Sequence, residues 1–110
     1  MALRFLAHWS VLLAALLILS TEAQAQTRGN PDNGLKLARQ WCTPCHVVEP
    51  AGRGGDAGPP FIQVANRPDR TAQTLRAWLN DPHPPMPNLG LSGREVDDIA
   101  VYIESLQGRL

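Results

Sequence analysis

The sequence predicts an all-α fold, three main helices set around two long loops, and three observations carry the prediction. Apolar residues recur at helical spacing in three separate stretches. Most of the ten prolines and nine glycines fall between those stretches, where they punctuate the chain. Nowhere do two alternating apolar runs flank a tight turn, so no hairpin is expected.

Asn30-Pro31-Asp32 opens the first helix, with Asn30 as cap and Pro31 at the first helical position. Leu35, Leu37, Ala38 and Trp41 carry that helix towards a pair of cysteines. From Val47 to Pro60 the text holds Gly52, Gly54, Gly55, Gly58, Pro59 and Pro60, the composition of a loop. Phe61 to Ala65 makes a short helical turn before Asn66-Arg67-Pro68. Thr71 caps the second main helix, whose apolar stripe is Ala72, Leu75, Trp78 and Leu79. Pro82, Pro84, Pro85 and Pro87 then forbid both helix and central strand. Ser92-Gly93-Arg94-Glu95 is a capping box, serine and glutamate each satisfying a free amide of the other. Behind it Val96, Ile99, Ala100, Ile103 and Leu106 trace one face of the terminal helix.

The 110 residues leave room for one domain. Arg4 and His8 precede an apolar run from Val11 to Leu19, and Ala23-Gln24-Ala25 offers the small-x-small pattern of a signal peptidase site. Residues 1–25 read as a cleaved signal peptide, 26–33 as a loose lead-in and 34–110 as the domain. An uncleaved membrane anchor is the alternative, but the run falls short of the ~20 apolar residues a span needs. Membrane contact is expected only if that segment is retained. Ten acidic residues balance ten basic ones, and this argues against a nucleic-acid partner, which calls for a basic face. A mature domain this small, with only Trp41, Phe61, Trp78 and Tyr102 as aromatics, needs a staple beyond its core. A bond between Cys42 and Cys45 would close almost no loop and stabilise little. The chain therefore depends on something it binds, and a monomer is expected.

Cys42-Thr43-Pro44-Cys45-His46 is the C-x-x-C-H pattern of c-type haem attachment. Each thiol adds to one of the two vinyl groups of a rigid macrocycle. Cysteines at i and i+3 on a helical turn face the same way, and the histidine that follows supplies the proximal iron ligand. Three other readings compete. Trp41-Cys42-Thr43-Pro44-Cys45 also looks like a thioredoxin-type redox site, but no strand precedes it and no βαβ text follows. A zinc site would need Cys42, Cys45, His46 and His83, and adjacent Cys45 and His46 suit a tetrahedral ion poorly. A plain disulfide leaves His46 as coincidence.

The second iron ligand follows from a short inventory. Beyond the signal segment there is one methionine, Met86, and one histidine besides His46, namely His83. Met86 lies between Pro85 and Pro87, which stiffen its backbone and limit the entropy lost when a soft thioether is held against iron. Met86 is favoured over His83 on that ground. Asn88 is placed to donate a hydrogen bond to the Met86 sulfur.

With these residues in order, the chain is similar to the compact bacterial class I cytochromes c, from about Gly34 to Leu106. The anchors are the haem pentapeptide, Gly58-Pro59, Pro85-Met86-Pro87, and a terminal helix bearing Ile99 and Tyr102. The resemblance implies a cytochrome c fold in which the first and last helices cross closely, Gly34 facing Ile99 and Tyr102. The family's usual aromatic four residues before the first cysteine is Ala38 here, so Tyr102 or Trp41 is expected to fill the crossing. It further implies that the Pro59 carbonyl accepts the other N–H of His46 and holds its metal-binding tautomer. Trp78 would pack on the haem and donate to a propionate, with simple core packing on the Leu75–Leu79 stripe as the alternative.

The function expected is that of a periplasmic single-electron carrier with one haem c, ligated by His46 and Met86 and cycling between Fe(III) and Fe(II). With both axial positions filled there is no open site, so no enzyme is expected. Its partners are redox proteins that dock briefly at the haem edge. Lys36 is the only lysine, so docking should be weakly dependent on salt. The alternatives are a dedicated haem subunit of a periplasmic dehydrogenase or oxidase, a peroxidase-like or gas-binding haem with Met86 off the iron, and the thiol oxidoreductase.

Overall fold

Four helices succeed one another in the computed structural model, which describes residues 29–81 and 83–109: α1 (Pro31–Trp41), α2 (Phe61–Ala65), α3 (Ala72–Asn80) and α4 (Gly93–Glu104). No strand occurs among the described residues. The expected signal segment, its cleavage point after Ala25 and the new terminus Gln26 lie outside the described residues, as does Pro82. None of the described helices is long and apolar enough to cross a membrane.

Local chemistry sets the helix ends. The Asn30 side chain accepts from the backbone N–H groups of Asp32 (2.9 Å) and Asn33 (3.1 Å), and Pro31 occupies the first turn, where its missing N–H costs nothing. Thr71 and Thr74 form a reciprocal capping box on α3, and Ser92 and Glu95 form one on α4. The sequence reading is corrected at one end. The stretch up to residue 33 is not loose from Asn30 onward, because the buried Asp98 carboxylate accepts from Asn30 N (2.6 Å) and Asn33 Nδ2 (2.7 Å). A tertiary partner 68 residues away pins the helix start, and Pro31 to Asn33 are already helical.

The core forms around α4, which packs against α1, α2 and α3. Val96, Ile99 and Leu106 have their side chains fully buried, joined by Ala38, Phe61, Leu75, Tyr102 and Ile103. Each large aliphatic side chain buried in this way contributes about 1.5–3 kcal/mol. The α1–α4 crossing is close. A Cβ on Gly34 would overlap the Asp98 carbonyl and stand 2.8 Å from Tyr102 Cβ. Tyr102 faces Gly34 as the resemblance implies, but the Asp98 backbone holds the nearest position. Ile99 turns wholly into the core. Tyr102 and not Trp41 fills the crossing, since Trp41 is 45% exposed.

Two cross-links tie the remaining elements to this centre. Glu104 Oε1 accepts from Ala72 N at 2.8 Å, capping α3 from α4, and Arg76 on α3 pairs with Asp97 on α4. Of the stripe expected on α3, Leu75 is buried and Ala72 and Leu79 are half-buried. Trp78 is 48% exposed, so it is not a core residue.

Candidate haem site

Helix α1 ends where the attachment motif begins. Cys42 caps the helix, its N–H bonding to Ala38 O at 2.8 Å. Its own carbonyl accepts from Cys45 N (3.1 Å) and His46 N (2.9 Å), which curls residues 42–46 into one tight turn. Thr43 fastens the turn to the helix through Oγ1, which donates to Arg39 O at 2.7 Å. No disulfide joins the two cysteines; Cys42 is buried and Cys45 half-buried. Burial, and secondarily the neighbouring Cys45, push the Cys42 thiol up to about 11, so it is protonated at neutral pH.

The loop from Gly52 to Pro60 is laced onto this turn. Gly55 N donates to Thr43 O (2.9 Å), Gly58 N to Cys45 O (2.8 Å) and Phe61 N to Val47 O (2.9 Å). The glycines are required by proximity. A Cβ on Gly54 would overlap the His46 carbonyl, and one on Gly55 the Pro44 carbonyl. His46 Nδ1 lies 2.8 Å from Pro59 O. A carbonyl can only accept, so Nδ1 carries the proton and Nε2 keeps the lone pair that a metal takes. Phe61 tilts against the same imidazole, ring centroids 5.2 Å apart.

The other candidate residues gather after α3. Met86 is half-buried, its N–H donating to His83 O at 2.9 Å, and Leu79, Asp81, His83, Met86, Pro87 and Asn88 surround one small cavity. Asn88 Oδ1 accepts from Gly90 N at 2.9 Å, in a turn where Gly90 adopts φ 64°. That bond uses the amide oxygen and not the NH2 group. His83 packs edge-on against Trp78 at 4.3 Å and does not join Cys42, Cys45 and His46 in a metal cluster.

Sequence reasoning missed Arg70. Its guanidinium is buried, lies 5.0 Å from the Trp78 ring centroid, and leaves Nε without a hydrogen-bond partner. Among the described residues its one carboxylate neighbour, Asp69, is exposed and stands 3.6 Å away. A buried, incompletely paired cation is costly unless an anion meets it. Nothing local in Pro68-Asp69-Arg70-Thr71 signals the burial; Gln107 Nε2 donates to the Arg70 carbonyl from the C-terminal side.

These residues fit a covalently held haem. Two thiols sit one turn apart, the adjoining histidine has its outer nitrogen free, and a buried guanidinium beside an exposed indole offers donors for a propionate. No family model matches the chain, and no solved structure matches it. Against curated proteins it is 38% identical over 96 residues to cytochrome c-552 of Bradyrhizobium diazoefficiens, an alignment covering 86% of this chain and 92% of that protein. With that degree of identity over most of both chains, and an all-helical fold carrying the attachment cysteines, this chain belongs to the small c-type cytochromes, electron carriers with covalently bound haem c.

Proposed function

We propose that this protein is an exported single-electron carrier whose haem iron is held by His46 and Met86. The observation that carries the reading is the Nδ1–H of His46 donating to Pro59 O at 2.8 Å, which presents Nε2 as the free ligand atom. Met86, on its proline-flanked loop, would be the second residue to hold the iron, with the Asn88 NH2 group available to donate to its sulfur. Arg70 and Trp78 would hold a propionate, Arg70 supplying charge and Trp78 an indole N–H. When bound, haem c supplies a reversible one-electron change at iron. Cys42 and Cys45 would fix its position, and Pro59 fixes the imidazole tautomer.

Residues 1–25 would act as a cleaved export signal, placing the domain of residues 34–110 in the periplasm, where thioether attachment takes place. The redox partners dock transiently on a surface of balanced charge. A second reading, a dedicated haem subunit of a dehydrogenase or oxidase, draws support from Trp41, which is 45% exposed directly beside the attachment turn. Co-purification with a large subunit at constant stoichiometry would favour that reading.

Expression in a periplasm that has the haem-attachment machinery, followed by absorption spectra of both oxidation states, tests the ligation. The oxidised protein should show a sulfur-to-iron charge-transfer band, and Met86→Ala should abolish it while His83→Ala leaves it intact. A band that survives Met86→Ala overturns the assignment.

A further inference from the structure

The His46 imidazole is contacted on more sides than ligand binding alone requires. Nδ1 is held by Pro59 O, but one hydrogen bond still lets the ring rock about the N···O line. Gly58 closes that freedom over one face. A Cβ there would lie 2.7 Å from Nδ1 and 2.8 Å from Nε2, and nearer still to Cε1 between them. Nearly equal distances to both nitrogens, with Cε1 nearest, place that methyl over one face of the ring, so only a glycine lets the backbone lie against it. Phe61 limits the ring from another direction, tilted 49° to it at 5.2 Å.

The segment making these contacts is itself anchored on both sides of His46. Gly58 N donates to the carbonyl of Cys45, the residue before it, and Phe61 N to that of Val47, the residue after it. Backbone and ring of one histidine are thus clamped by the same four residues, 58–61. We infer that Gly58 and Phe61 are positioning residues that fix the rotation of the His46 imidazole plane, and with it the orientation in which Nε2 is offered to iron. The inference rests on His46 being an iron ligand.

The plane of an axial imidazole sets which π-symmetry orbital of low-spin Fe(III) is half-filled, and so the distribution of unpaired spin around the macrocycle. That quantity is read directly from the paramagnetically shifted ring-methyl resonances and the g-values of the oxidised protein. The experiment compares haem-loaded wild type with Gly58→Ala, Phe61→Leu and a control, Gly93→Ala, whose new methyl would meet no atom within 4 Å. Gly58→Ala and Phe61→Leu should each redistribute the methyl shifts while the sulfur-to-iron band persists, and Gly93→Ala should leave them at wild-type values. Wild-type shifts in a haem-loaded Gly58→Ala overturn the inference. Should that variant fail to load haem, wild-type shifts in Phe61→Leu overturn it equally. A failure of the underlying ligand assignment looks different, because His46→Ala would then keep the wild-type spectrum in both redox states.

Discussion

The Tyr102 hydroxyl donates to the backbone carbonyl of Val48 at 2.7 Å, joining α4 to the segment just past His46 across 54 positions of sequence. Both residues are buried, so the carbonyl has no water to fall back on. Removing the hydroxyl in Tyr102→Phe should cost about 1–3 kcal/mol, read as a lower urea midpoint of the haem-loaded protein. The same burial raises the Tyr102 pKa above its ordinary value. Above pH ~10 the unfolded chain loses this proton while the folded one retains it, so stability falls as pH rises through that region. Tyr102→Phe should lack this part of the alkaline loss, which parallel denaturations across the alkaline range would reveal.

Gly34→Ala tests the helix crossing. Its methyl would overlap the Asp98 carbonyl, a backbone atom on a helix that cannot step aside. Overpacking of this kind costs about 1–3 kcal/mol and separates α1 from α4. Chemical denaturation should show the loss, whereas the same change at Gly93, in open space, should not destabilise.

Arg70→Gln tests the propionate contact. Loss of a cation near the iron favours the oxidised form, so the midpoint potential should fall by about 40 mV, the equivalent of about 1 kcal/mol of lost charge interaction. Trp78→Phe keeps the ring but removes the N–H donor, and should lower the potential less. Potentiometric titration decides, and an unchanged potential in Arg70→Gln would place the propionate elsewhere.

An acid-side effect is expected from Glu49. The Arg39 guanidinium bonds both its oxygens at 2.8 Å and holds the carboxyl below the ordinary range. Its contribution is present above the unfolded value of ~4.3 and disappears as pH falls through the lower folded value. Both partners are solvent-exposed, so the effect is small. Glu49→Gln should lie slightly below wild type in urea midpoint at neutral pH, and the two should converge in acid.

How much of this was legible depended on whether the signal was local. Asn30-Pro31, Thr71 and Ser92–Glu95 mark true helix starts because capping involves only the next three residues. The spacing within Cys42–His46 is fixed by the chemistry it serves, and Pro59 follows His46 as the resemblance implied. The burial of Asp98 was not legible, because its partners Asn30 and Asn33 lie 68 and 65 positions away, and nothing in the text around Arg70 marks its side chain as buried. Nor were the roles of Gly54 and Gly55, which as text mark only a loop, or the contact of Gly58 with the His46 ring. Helical spacing put Trp78 on the apolar stripe of α3, and the spacing alone could not reveal that its side chain is 48% exposed.

The lacing of that loop also sets where the chain can change length. Acceptors Thr43, Cys45 and Val47 advance by two residues while their donors Gly55, Gly58 and Phe61 advance by three. An extra residue between Gly55 and Phe61 would put a side chain where only glycine fits and shift every later bond out of step. Between Pro50 and Arg53 the backbone is exposed, and Gly52 N reaches back only as far as Glu49 O. Insertions there lengthen a surface turn at a small entropic cost, since loop closure grows only slowly with length. Relatives that differ in length in this region should therefore differ before Gly54, with the spacing from Gly55 to Phe61 unchanged.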